Sequence, residues 1–136
     1  VSWSLFVPGE PRTTQTGSIV RLRDGRAFPV RRHTEWSNRI ALAAQAERPP
    51  ALYAGPIRVR MTFWRSRPVS CPRRIGYPIQ RPDLGNLSKG LLDALEGIVY
   101  TTDAQVIELV ERKLFATTQP GVLIEVEPLA SPNGGD

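Results

Sequence analysis

Residues 81–105, RPDLGNLSKGLLDALEGIVYTTDAQ, divide the 136-residue chain in two. A breaker, Pro82, and an acid, Asp83, open the stretch. From Leu84 to about Ile98 the pattern is helical: at ~100° per residue, Leu87, Leu91, Ala94, Leu95 and Ile98 share one face. Asn86, Lys89 and Asp93 share another. Asp83 falls at the N-cap, where its carboxylate is expected to meet free backbone N–H groups. Gly97 is the end signal. After Tyr100-Thr101-Thr102 comes Asp103, at the entry to a strand expected from about Val106 to Phe115.

Hard divalent cations take oxygen ligands, and Mg²⁺ typically uses one or two carboxylates with water and phosphate. Asp83 at a helix start, Asp103 before the next strand and Lys89 within the helix are expected to converge on one such site. It would activate water and offset charge building on a phosphodiester. The same three residues also suit an ordinary capped helix with a surface lysine, and spacing alone does not choose. Asp93 either orients Lys89 or a metal-bound water, or is simply its i,i+4 partner.

Outward from this stretch, Trp3, Leu5 and Val7 alternate with Ser4 and Phe6 as a strand, ended by Pro8, Gly9 and Pro11. Ser18–Leu22 and Ala27–Val30 read as short strands around Asp24-Gly25, a two-residue hairpin signal. This basic arm, residues 15–33, is expected to be a mobile flap. Thr34, as N-cap, starts a helix to Arg48 with a stripe of Trp36, Ile40, Ala43 and Ala44, stopped by Pro49-Pro50. His33 has no acid or cysteine nearby and reads as a surface residue. In IRVRMTFW, residues 57–64, Ile57, Val59, Met61 and Phe63 face a core while Arg58, Arg60, Thr62 and Trp64 face away. Residues 65–82, rich in Arg and Pro, have no period and read as an exposed loop. A last strand spans 122–127, and residues 131–136 read as a disordered tail.

The length suits one domain, residues 1–130, with a core of its own. A hydrophobic content of 40% and a charged content of 23% are ordinary for a soluble globule. No apolar run approaches the ~20 residues of a membrane span, and the N-terminus lacks a leader pattern. Cys71 is the single cysteine, which excludes an internal disulfide; a cytoplasmic location is expected. Residues 1–82 carry fifteen arginines and no lysine against four acids, whereas residues 83–136 carry three basic residues against nine acids. Such asymmetry attracts a polyanion to the first part of the chain, although an arginine-rich coding bias would look the same. The expected phosphate contacts are Arg12, Arg21, Arg23, Arg26, Arg31, Arg32, Arg65, Arg67, Arg73, Arg74 and Lys113.

RPDLGNLSKGLLDALEGIVYTTDAQVIELVERK closely resembles the signature of RusA-type Holliday junction resolvases. That pattern runs Pro-Asp-x-Asp-Asn-Leu-x-Lys, then Asp-Ala-Leu, then Asp-Asp-x-Gln-Val and a later Lys. It is matched by Pro82, Asp83, Asn86, Leu87, Lys89, Asp93, Ala94, Leu95, Asp103, Gln105, Val106 and Lys113. The opening VPGEP, the basic arm and the helix at 34–48 also resemble the family. The resemblance implies a small α+β fold, a mixed sheet with two main helices, and a homodimer. It implies a Mg²⁺-dependent (or Mn²⁺-dependent) endonuclease acting on branched DNA, bacterial or phage-encoded and nucleoid-associated. Asp83, Lys89, Asp93 and Asp103 are then the catalytic set, with Asp83 and Asp103 holding the metal. Two positions depart from the pattern: Gly85 stands where the family has an Asp, and Thr102 where it has the first of the paired acids.

Three functions follow. The leading one is a resolvase making paired symmetric nicks in a four-way junction, impaired to the extent that Gly85 removes a ligand. The second is an inactive homodimer that binds branched DNA. The third is a generic basic module that stacks single strands on Trp64 and Tyr77.

Overall fold

A computed structural model describes residues 1–13, 16–21, 23–31 and 35–130. Strands β1 (Trp3–Pro8), β2 (Thr16–Arg21), β3 (Ala27–Arg31) and β4 (Ile57–Arg65) precede β5 (Val106–Phe115) and β6 (Gly121–Pro128). Helix α1 (Glu35–Ala46) lies between β3 and β4, and α2 (Leu84–Leu95) between β4 and β5. Among the described residues, β1-β6-β4-β5 form a mixed four-stranded sheet, with β4 and β5 parallel and the other pairs antiparallel. Strands β2 and β3 make a separate two-stranded sheet. The α+β expectation, a mixed sheet with two helices, is met.

Period-two alternation builds the core. Leu5 and Val7, Ile57, Val59, Met61 and Phe63, and Val122, Ile124 and Val126 put one sheet face against the helices. Trp36, Ile40 and Ala44 of α1 and Leu87, Leu91 and Leu95 of α2 close over it. The parallel step from β4 to β5 needs a crossover, and α2 is that crossover. Helix α2 therefore runs back along the sheet, with its start at the Arg65 end of β4 and its finish at the Ile57 end.

Two expectations are corrected, and the outer face of β4 is described more closely. Helix α2 stops at Leu95 rather than near Ile98, because Gly97 takes φ +82 and donates its N–H to the Tyr100 carbonyl at 2.7 Å. Such a left-handed glycine just past the cap ends a helix. The β2–β3 turn is longer than two residues, since the last paired residues are Arg21 and Ala27. Asp24 there accepts from the Arg26 N–H at 3.0 Å, closing a local turn through its side chain. Strand β4 is central, so its other face is partly covered. Thr62 is buried, and the half-buried Trp64 tilts against Phe6 at 6.2 Å between centroids. Arg58, on that same face, bridges Glu108 and Glu127, the latter at 2.7 Å. The Thr34 cap, Arg32, His33 and the 131–136 tail lie outside the described residues.

Candidate active site

Asp83 is the N-cap residue of α2, yet its side chain makes no capping hydrogen bond. The helix start is held instead by the Asp83 carbonyl, which accepts from the Leu87 N–H at 3.2 Å. The carboxylate is thus exposed and not spent on the backbone. It borders a cleft of about 900 Å³. Three separate segments meet there: Glu10 and Arg12 after β1, Glu35 and Arg39 at the start of α1, and Arg81 to Asn86 at the start of α2. Arg65, at the end of β4, also lines it.

Each wall has a local reason for its place. Glu10 accepts from the Ser66 N–H at 3.2 Å and pairs with Arg65 at 3.3 Å, pinning the chain after β1 to the end of β4. Arg65 also donates to the Pro11 carbonyl. Arg39 donates to the Pro8 carbonyl at 3.1 Å, across the close backbone passage at Gly9, where φ is +127. A Cβ at Gly9 would stand 2.5 Å from Arg39 Nη1, so a side chain there displaces the arginine. Lys113 reaches from β5 to donate to the carbonyls of Gln80 and Pro82 at 3.0 and 2.9 Å, clamping the residues just before Asp83. Burial, then the charge of Arg65, pulls the Lys113 pKa below its usual value, and Asp83 acts in the opposite direction.

Asp103 lies at the other end of α2. Its N–H donates to Glu96 Oε1 at 2.9 Å, and Glu96 is the C-cap of the helix. A helix of 12 residues is ~18 Å long, so Asp83 and Asp103 of one chain do not converge on one ion. Asp93 belongs with Asp103, not with Asp83. Burial pushes the Tyr100 hydroxyl strongly up, and the charges of Asp103, Glu96 and Asp93 push it further. Lys89 is exposed on α2, six residues past Asp83 and ~9 Å along the axis.

Thr102 does structural work at that far end. Its hydroxyl accepts from the Ala104 N–H at 3.3 Å, and Gln105 Oε1 accepts from the Thr102 N–H at 2.9 Å. This capping box starts a one-turn 3-10 helix, Asp103–Gln105. Gln105 also donates to the carbonyls of Tyr53 and Gly55 at 2.8 and 2.9 Å, so one side chain ties the turn to the segment before β4.

A family model described as "Endodeoxyribonuclease RusA" matches residues 8–127, which contain the cleft, α2 and the Asp103 turn. The chain belongs to the RusA endodeoxyribonuclease family. It is also similar to "Uncharacterized protein YqaN" of Bacillus subtilis (strain 168), at 26% identity over 90% of this chain and 89% of that protein. Read as a RusA-family site, the Asp83 cleft lacks the carboxylate expected at Gly85. A Cβ at Gly85 would meet nothing within 4 Å, so no neighbour has filled the space. Among the described residues no three His, Cys, Asp or Glu side chains cluster, so a divalent ion at Asp83 would draw most of its ligands from water and phosphate. No helix of the described residues is long and apolar enough to cross a membrane.

The expected phosphate contacts divide into several groups. Arg12 faces the cleft, and Arg73 and Arg74 are exposed on the loop before it. Arg65 and Lys113 are committed to the scaffold. Arg67 is spent inside its own loop, donating to the Pro72 and Ile75 carbonyls at 3.2 and 2.8 Å and stacking 4.2 Å over Phe115. Arg23 and Arg26 sit at the exposed β2–β3 turn, Arg26 held by Asp24 at 2.7 Å. Arg21 and Arg31 belong to the β2–β3 ladder. Glu10, Glu35 and Arg39 were not expected at the site, whereas Arg81 follows from the arginine-rich loop that leads into Asp83. Only the VPGEP opening hinted at one of them, because the cleft is made by packing and has no linear motif.

Proposed function

We propose that this chain is a structure-selective endodeoxyribonuclease of four-way DNA junctions, working as a Mg²⁺-dependent homodimer. The supporting observation is the unspent Asp83 carboxylate at an arginine-lined cleft, inside a family signature that covers most of the chain. The separation of Asp83 and Asp103 makes the second copy part of the reading. Strand β5 is an edge strand, and Ile107, Leu109 and Val110 along it are exposed. An exposed apolar edge is a template for pairing. Antiparallel pairing of β5 with β5 of a second copy, centred near Val110, carries Asp103 of that copy toward the Lys113 end of the first. There it joins Asp83. Two symmetric sites suit two symmetric nicks.

Asp83 and the second copy's Asp103 would hold the ion, which supplies water activation and charge neutralisation when bound. Arg12 and Arg81 hold the phosphates entering the cleft, and Lys89 meets the strand on its outer side. Thr102 caps its turn in place of a carboxylate, so it adds no ligand. A second reading, a junction-binding dimer without turnover, is favoured by one feature: the space beside Gly85 is empty, so nothing replaces the missing acid.

Cleavage of a labelled four-way junction with Mg²⁺, by this chain and by Gly85→Asp, separates the two. The account expects junction binding by both in chelator and faster nicking by Gly85→Asp, by about 100-fold or more if the ligand is essential. Folding should be spared, since the new side chain enters open space and an acid in a first helical turn is favourable by ~0.3–1 kcal/mol. Absence of nicking by either would favour the binding protein. Failure to prefer the junction over linear duplex would remove both readings.

A further inference from the structure

The 66–82 loop between β4 and α2 presents large apolar side chains to solvent. Val69 is fully exposed, Tyr77 is 66% exposed and Ile79 78%. Ordinary surface loops are short and polar, and a connection of this length without regular structure is usually functional. The loop is also built to keep its shape. Arg67 holds the Pro72 and Ile75 carbonyls from inside and lies over Phe115. The Cys71 and Ile75 N–H groups close turns on Pro68 and Pro72, both at 3.0 Å. At the far end Lys113 grips Gln80 and Pro82.

Tyr77 and Ile79 flank Pro78, which is buried. The anchored proline turns inward and its two neighbours turn out. Ile79 lies four residues before Asp83, and Arg73, Arg74 and Arg81 are exposed on the same loop. The loop therefore presents apolar, aromatic and cationic side chains within a few residues of one another and leads into the cleft.

Resting on the nuclease reading, we infer that this loop is a branch-point wedge: Tyr77 and Ile79 pack on base faces laid open where duplex arms meet. Arg73 and Arg74 hold the flanking phosphates. The chemistry selects this partner. In a continuous duplex, base faces are covered by stacking, and arginines alone suffice to grip the backbone. An aromatic ring beside an aliphatic side chain, within a cationic rim, finds a complementary surface where stacking is interrupted and phosphates lie close by. The anchored proline lets the wedge enter without first losing loop freedom. Because the loop runs straight into Asp83, insertion at the branch sets the distance from branch point to scissile phosphate.

The test uses Tyr77→Ala/Ile79→Ala in the full chain, with Tyr77→Phe as the conservative variant. Binding to a four-way junction and to linear duplex is measured in chelator, with 2-aminopurine at the branch reporting unstacking. The inference expects the parent and Tyr77→Phe to raise the fluorescence. It expects the double variant to bind the junction at least about tenfold more weakly, with duplex affinity unchanged and little fluorescence rise. Unaltered junction affinity and fluorescence in the double variant would overturn the wedge while leaving the nuclease reading standing. Equal binding of junction and duplex by the parent would instead defeat the nuclease reading. Loss of a parental dimer in the double variant, seen by sedimentation, would make these side chains protein contacts and also overturn the wedge.

Discussion

The two ends of α2 carry the two acids of the family signature, and they are built in opposite ways. At the start, Asp83 is a cap in position only, its carboxylate left to a charged cleft. At the finish, Asp103 sits in a knitted turn where Thr102, Gln105 and Glu96 bind the backbone and Tyr100 is fully buried. One end is prepared to receive a ligand, and the other is prepared to hold a side chain still. An acid that must cross to a second copy needs a rigid mount, whereas an acid in a cleft needs free lone pairs. The difference is what the proposed site, shared between two copies, would require.

Removing either acid should have the largest effect. Asp83→Asn or Asp103→Asn is expected to abolish whatever cleavage the chain or its Gly85→Asp version shows, while junction binding in chelator stays. Normal cleavage by either variant would place the site elsewhere. The rigid end is sharpened next by Gln105→Ala, which removes a side chain serving four backbone groups. A loss of roughly 1–2 kcal/mol in denaturant unfolding is expected, the net worth of one or two hydrogen bonds, since one of the four is part-buried and the other three are exposed. A change under half that would mean water replaces the amide and the turn is looser than described. Smallest is the loop: Arg73→Ala and Arg74→Ala should each lower the salt slope of DNA binding by about one unit. An unchanged slope would mean they do not touch the backbone.

Much of this was legible in the sequence, because the core obeys simple periods. Val59, Met61 and Phe63 in β4 and Leu87, Leu91 and Leu95 in α2 are buried as their spacing requires. The resemblance pointed to the family that the match over residues 8–127 shows. What spacing could not show is which residues packing brings together. Glu10, Glu35 and Arg39 reach the cleft from three places, and Arg67 turns inward for carbonyls that its sequence neighbours do not reveal. The convergence of Asp83 and Asp103 failed for a simpler reason. A helix separates its ends by its own length, and the shared site was expected within one chain.

Mixing the two inactive variants tests that point directly. Asp83→Asn and Asp103→Asn chains, both carrying Gly85→Asp, are each assayed alone and after exchange into mixed dimers on a labelled four-way junction. In a site shared across two copies, one of the two sites of a mixed dimer regains both acids. The account predicts single-strand nicking by the mixture and none by either variant alone. No nicking by the mixture, with the Gly85→Asp parent active and exchange verified, would contradict it and return both acids to one chain.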